Sequence, residues 1–419
     1  MGSSRFPGKM LRELAGKPLI WHVIHRLRQC RAIGQVLLAT SDQPVDDALA
    51  DYVATLGITV VRGSELNVLD RFVQALAQTE AEIIVRITGD AALIDPDLID
   101  RLVDHLAASG ADYVLTTAPG SDCGIDPVTR RTLERIAAER GDHPAACEHV
   151  TGFLRIEPGF ARLTRLPTEG ENRLAEGARF SVDTPADLDF MEAIYRALGA
   201  PAGEARFLDA VALLRNQPEL LALNSHVRQR RPDEKPVSVL VRCDGGHALG
   251  LGHVVRCLAV AAVLRDRFSA SITFAIAGAA AAIELVRAEA FRVIPIGASA
   301  AADFDAALSA TSPDVVLMDV RTPFEQREID VVARHCSRLA VLDDPGPRRL
   351  HADIGFYPPS AAALDWSRAR GEICIGFDWI PLRAQFIASL EPWQIWLLLS
   401  LAALLLVLIP TSYFILEGQ

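Results

Sequence analysis

The sequence lacks the paired-cysteine spacings that mark a metal site or a disulfide framework. Its seven cysteines are scattered between Cys30 and Cys374, with no C-x-x-C among them. They read as reduced thiols of a cytoplasmic protein. An excess of positive charge is also missing. The formal net charge is −11, which argues against nucleic acid as a general partner. No secretory signal opens the chain. Nor does any apolar, strand-like run precede the small residues at its start.

What is present is long enough, at 419 residues and half hydrophobic, for two or three domains. Residues 1–228 alternate helical and extended patterns. The runs Gln35–Thr40, Ile58–Val61, Glu82–Ile87 and Tyr113–Leu115 read as strands, and Pro18–Cys30, Val45–Leu56, Val68–Leu76 and Pro96–Leu106 as helices. Such alternation predicts an α/β domain with a mostly parallel sheet covered on both faces, binding ligands beyond the carboxyl ends of its strands. The charged, proline-bracketed stretch 229–236 reads as a linker. A second alternating domain follows over 237–390, with strands at Val237–Val241, Ile272–Ile276, Val315–Met318 and Leu339–Leu342. In it the Ala-rich stretch 279–303 reads as helical, as does His253–Arg267.

Residues 392–416 carry no charge. A helix of that length spans about 35 Å, enough for a bilayer core. Trp393 and Trp396 at one end, and Tyr413 and Phe414 at the other, suit the interfacial belts. Arg368, Arg370 and Arg383 lie on the amino side, so the positive-inside rule predicts cytoplasmic domains anchored in the inner membrane by one C-terminal transmembrane helix. A buried core helix, or a tail read in a wrong frame, would give the same apolar run.

The residues with chemistry fall at loop positions. Gly2, Ser3 and Ser4 are small, Arg5 and Lys9 are cationic, and Pro7-Gly8 is a turn. Such a loop can wrap its N–H groups around a phosphate while the cations neutralise it. Ser41-Asp42, Asp90 and Asp183 follow apolar runs, and Asp183 is expected at a strand end. Two carboxylates near a phosphate loop are what metal-assisted nucleotidyl transfer needs, since Mg²⁺ takes carboxylate and phosphate oxygens. Each piece also has a plain structural reading, as a helix cap or a frayed end.

Several spaced motifs carry a resemblance. They are the opening Met1–Lys9, Leu14-Ala15-Gly16-Lys17-Pro18-Leu19, Ala39–Asp42, Val85–Asp90, Glu148–Thr151 and Ser181–Leu188. Together they resemble the cytidylyltransferases of the spore-coat polysaccharide type, relatives of the synthetases that make CMP-activated sugar acids. The resemblance covers about residues 1–228. It implies a Rossmann-like nucleotidyltransferase domain that binds CTP, with Arg5 and Lys9 on phosphates and Mg²⁺ near Asp90 and Asp183. It leaves a homodimer open. The chain departs from that pattern in three places. The strand that normally leads into the loop is missing, which reads as an understated start site. Ala91-Ala92 follow Asp90 where the family has Cys-Pro, and Gly124-Ile125-Asp126-Pro127-Val128 lacks the family's Glu.

The second domain has a strand, a glycine-rich loop and a helix start in Val241–Leu258, with Gly250, Gly252 and His253 at the junction. A helix start of this kind favours an anion, and a histidine there can move a proton. A lone histidine can equally be a cap or core residue. The string resembles the N-terminal half of the UDP-sugar hydrolase of the pseudaminic acid pathway, with further matches at Asp319, Leu342-Asp343-Asp344 and Pro381–Phe386. That resemblance implies one lobe of a glycosyltransferase-B-like fold and a catalytic role for His253. The second lobe, on which UDP mainly sits, is absent. The leading expectation is therefore CMP transfer from CTP to a sugar acid or sugar phosphate in surface-glycan synthesis. The alternatives are UDP-sugar hydrolysis through His253, and a membrane-tethered nucleotide-binding remnant without turnover.

Overall fold

The computed structural model describes residues 2–379, apart from 118–123, 169–177, 231–233, 247–249, 298–300, 324, 336–337 and 377–378. The expected membrane segment 392–416 and the motif at Pro381–Phe386 lie outside the described residues. Among those described, no helix is long and apolar enough to cross a membrane. The chain divides into two compact units, one of residues 1–227 with 231–234, the other of 228–230 with 235–419.

The first unit begins with a small antiparallel pair, β1 (Glu13–Leu14) and β2 (Lys17–Pro18). Next come β3 (Leu37–Ser41) and β4 (Thr59–Gly63), which pair in parallel. The remaining strands are β5 (Ile83–Ile87), β6 (Tyr113–Thr116), β7 (Ile125–Thr129) and β8 (Leu163–Leu166). They form a separate sheet in the order β5-β7-β6-β8, with β7 antiparallel to both neighbours and β6 parallel to β8. The expected mostly parallel sheet is therefore instead a parallel pair and a mixed sheet. The period-two pattern marks strands but not their partners, and β7 returns between β5 and β6.

Helices cover this sheet on both faces. Ile83, Val85 and Ile87 pack with Val23 and Leu27 of the helix Leu19–Leu27. Ile84, pointing the other way, packs with Leu69 and Leu76 of the helix Val68–Leu76. The alternation is the strand period at work. The helix Pro185–Leu198 is started by local chemistry alone. Pro185 takes the first helical position, Thr184 and Asp187 form a capping box, and Gly199 ends it at φ 60°.

In the second unit, β9 (Ser238–Gly245), β10 (Ser271–Gly278), β11 (Arg292–Pro295), β12 (Val315–Asp319), β13 (Arg338–Leu342), β14 (Ile354–Tyr357) and β15 (Glu372–Ile375) make one parallel sheet. Its order is β11-β10-β9-β12-β13-β14-β15. All residues of β12, and all but the first of β9, are buried, as expected for central parallel strands. The Ala-rich stretch is not one helix. Helices Ala280–Ala288 and Ala301–Thr311 flank β11, because Phe291, Val293 and Ile294 find apolar partners at the sheet edge. Composition favoured helix there; tertiary packing overrode it.

Candidate active site

The loop that opens the chain packs back on itself before it reaches any partner. Ser3 Oγ accepts from the Phe6 amide at 3.2 Å, and the Phe6 ring is buried. Gly8 turns at φ 73°, a conformation that costs little only for glycine. The turn delivers Lys9 inward. Only 6% of Lys9 stays exposed, so it is a buried charge that needs partners.

It finds two. Lys9 Nζ donates to Asp90 Oδ2 at 2.6 Å and to Asp183 Oδ1 at 3.1 Å. The other oxygen of Asp183 receives Arg5 at 3.1 Å and Arg179 at 3.0 Å. Three cations and two carboxylates from distant stretches of sequence thus meet at one point. Burial alone would push the Asp183 carboxyl up. The charges of Lys9 and Arg5, with Arg179 behind them, outweigh it and hold it at about 2. Burial likewise favours a neutral Lys9, but Asp90 and Asp183 prevail and raise its pKa. Lys9 and Asp183 are therefore both charged at neutral pH.

Asp183 is not at a strand end, contrary to expectation. It stands on irregular chain one residue before the cap Thr184, and its own amide donates to Asp187 at 3.0 Å. Asp187 therefore shapes the backbone that presents Asp183. Asp90 lies three residues past β5, beyond the strand's carboxyl end as expected. Arg179 was not singled out from the sequence. Its signal was its four-residue offset from Asp183.

The other expected phosphate contacts are dispersed. Gly2, Ser41 and Asp90 line one cavity of about 830 Å³. Ser41, at the end of β3, spends its hydroxyl on Asp46 Oδ2 at 2.6 Å, and Thr40 donates to the same oxygen. Asp42 is exposed beside Gln43, and Ser4 is exposed as well. At the motif Glu148–Thr151, Val150 sits at φ 52°, a strained setting for a β-branched residue. Next to it, Thr151 donates to Asp126, which also binds Arg86 and Arg155. Asp126 is thus fully paired within the fold.

A profile of the cytidylyltransferase family matches residues 1–217. The chain belongs to the cytidylyltransferase family. It is 33% identical over 224 residues to the spore coat polysaccharide biosynthesis protein SpsF of Bacillus subtilis, covering 52% of this chain and 92% of that protein. It is 30% identical over 233 residues to the 3-deoxy-manno-octulosonate cytidylyltransferase of an Anaeromyxobacter species, covering 47% of this chain and 94% of that one. Among solved structures, a cytidylyltransferase from Leptospira borgpetersenii overlays with a TM-score of 0.48 and 22% identity, over 53% of this chain and 92% of its own. As a cytidylyltransferase the chain is an enzyme of nucleotidyl transfer. The matched region contains Arg5, Lys9, Asp90 and Asp183, and ends before the second unit.

That unit has a cluster of its own at the carboxyl ends of β9, β12 and β13. Gly246 and Gly250 exchange two backbone hydrogen bonds, and Gly250 turns at φ 72°. Gly252 then begins the helix Gly252–Phe268. His253 Nδ1 lies 2.7 Å from the buried Asp319. Arg256 binds both oxygens of Asp319, at 2.8 and 2.7 Å, and reaches Asp343 at 3.1 Å. Burial would raise the Asp319 carboxyl, but hydrogen bonds from His253 and Arg256 keep it below the usual value. A carboxylate can only accept, so Nδ1 carries the proton in this pair. In neutral His253, Nε2 is then the basic atom.

Proposed function

We propose that the first unit transfers the CMP group of CTP to an oxygen of a sugar acid or sugar phosphate. The observation that carries this is Lys9 held between Asp90 and Asp183, with Arg5 on the second carboxylate. The names of the relatives, in polysaccharide synthesis and 3-deoxy-manno-octulosonate activation, support the acceptor class.

In this reading the triphosphate enters beside Arg5 and Lys9. Their charges offset part of the negative charge of CTP, and the acceptor oxygen is oriented in line with the α-phosphorus. That oxygen forms the new P–O bond as the bond to pyrophosphate breaks. Where that oxygen is a hydroxyl, its proton passes to the Asp90 carboxylate, which Lys9 holds at 2.6 Å. Arg5 and Lys9 then stabilise the charge that builds on the leaving pyrophosphate.

The residues also suit Mg²⁺. No group of three His, Cys, Asp or Glu side chains among the described residues forms a ready cation cage. But Mg²⁺ commonly takes one or two carboxylates and completes its shell with water and substrate phosphates. Asp90 and Asp183 supply such hard oxygens at the point where a cation already sits. When bound there the ion would neutralise phosphate charge.

The test is to incubate the full chain with CTP, Mg²⁺ and a panel of sugar acids, and to measure pyrophosphate and CMP-sugar. Asp90→Asn and Asp183→Asn should each cut the rate by about 100-fold or more. Full activity in both variants would overturn the assignment.

A second reading is favoured by the His253–Asp319 pair: hydrolysis of a UDP-sugar in the second unit, with His253 Nε2 taking a proton from water. UDP release that vanishes in His253→Ala would support it; release that persists would exclude it. We also read residues 392–416 as a membrane anchor. Sedimentation of the full chain with vesicles, lost on deleting 392–416, is the expected result.

A further inference from the structure

Arg179 stands between two carboxylates. Its Nη2 donates to Asp183 Oδ2 at 3.0 Å, and its Nη1 donates to the Val227 carbonyl at 2.9 Å. Nη1 also lies 3.7 Å from Asp187 Oδ1. Only 12% of the Arg179 side chain is exposed, and Asp187 is fully buried. In a setting this dry a guanidinium is drawn strongly to any carboxylate in reach, so the two anions compete for it. Asp183 has the hydrogen bond; Asp187 does not.

Asn224 accounts for that outcome. Its Nδ2 donates to Asp187 Oδ1 at 3.0 Å and faces the Arg179 carbonyl at 3.4 Å. Both partners only accept, so the amide nitrogen must point at them. The other oxygen of Asp187 accepts from the amides of Asp183 and Thr184, at 3.0 and 2.9 Å, and from the Thr184 hydroxyl at 3.0 Å. Asp187 is thus supplied with donors on both oxygens without calling on Arg179.

The arrangement is a poor one for stability alone. Asn224 Oδ1 and Arg179 Nε are both buried without a hydrogen-bond partner among the described residues. Each such atom costs free energy. What the network secures is direction, with Arg179 aimed at Asp183. The segment that secures it lies past residues 1–217, the span of the family match. It follows the short helical turn Pro218–Leu223, and the Val227 amide donates to the Asn224 carbonyl at 2.9 Å. One stretch of chain therefore supplies both the amide on Asp187 and the carbonyl on Arg179.

We propose, resting on the reading of the first unit as a nucleotidyl-transfer site, that Asn224 is a positioning residue: by occupying Asp187 Oδ1 it leaves Arg179 to Asp183. The working site then extends beyond the family match into residues 218–227.

The test starts from Asn224→Ala in the full chain, which frees Asp187 Oδ1. A crystal structure of this variant should show Arg179 within about 3 Å of Asp187, with its hydrogen bond to Asp183 lost. CMP transfer should fall by about 10- to 100-fold. Asn224→Leu keeps the volume and removes the donor, and should behave the same if the alanine variant does not fold. Adding Asp187→Asn removes the competing charge. The double variant should return Arg179 to Asp183 and recover most of the lost rate, while melting no higher than either single variant. A merely structural Asn224 predicts losses of rate that add instead. Arg179 still on Asp183 in the single variants, or a double variant slower than its Asn224 parent, would overturn the proposal. If the unsubstituted chain transfers no CMP, the function proposed for the unit fails, while the crystal structures still decide whether Asn224 places Arg179.

Discussion

Each unit places a glycine-bearing loop beside the carboxyl ends of its strands, but among the described residues the sheets around the two loops differ. In the second unit, β9 delivers Gly246–Gly252 from the middle of a continuous parallel sheet. In the first, among the described residues, the two-stranded and four-stranded sheets beside the loop of residues 2–9 stay apart. The loop is held in place by charge instead, through Lys9 and Arg5 on the carboxylates Asp90 and Asp183. The difference teaches that ion pairing can position a loop that sheet packing would otherwise carry. Under the proposed function, the same residues would both bind substrate and hold the site together.

The sharpest way to break the comparison is Lys9→Met. Losing the ammonium should lower CMP transfer by about 1,000-fold, read as kcat/KM for CTP. If Lys9 only braced the loop, Lys9→Arg would restore most of the activity; as a phosphate ligand in a tight pocket, it should not. In the second unit the matching change is Asp319→Asn, which takes the anion away from His253 and Arg256. Denaturant unfolding of that unit should show a loss of about 3 kcal/mol. Core truncations should separate the sheets as well. Leu317→Ala in β12, fully buried, should cost about 2–5 kcal/mol, whereas Ile84→Ala in the half-buried β5 should cost less than about 1.5. Equal losses would mean that the first unit's sheets are as well packed as the second's.

A further contrast concerns pH. His22 is fully buried; Nε2 donates to the Leu14 carbonyl at 2.7 Å, and Nδ1 lies 3.1 Å from the Tyr195 hydroxyl. Burial lowers its pKa to about 4. The unfolded chain takes up this proton near pH 6.5, the folded chain only near 4. The unfolded state binds more protons across that window, so the first unit should lose stability as pH falls from 6.5 toward 4, by at most about 3 kcal/mol. His22→Gln should flatten this dependence in thermal melts, while the second unit keeps its own profile.

Much of the fold could be read directly from local pattern. The helix Val68–Leu76 matches its expected span, and β5, β6, β12 and β13 fall within a residue of their apolar runs. Lys9, Asp90 and His253 were visible as charged or ionisable residues at loop and helix starts. What local pattern missed is relational. Ala-rich sequence at 279–303 hid the edge strand β11, because an alanine-rich run says little about what lies next to it. Asp183 read as a strand end, yet Asp187 and Thr184 claim that backbone for a helix cap. Arg179 went unnoticed because a cation matters only once its anion is placed beside it.

The sequence by itself determined the alternation of strands and helices, the capped start of the helix at Pro185, and the loop conformations that glycine permits at Gly8 and Gly250. These depend on residues a few positions apart. Only the tertiary structure decided that Lys9 meets partners 81 and 174 residues away, that β7 inserts between β5 and β6, and that β3 and β5 face each other across an open slot. Strand order and buried charge are settled by which distant surfaces exclude water together, and no local period records that.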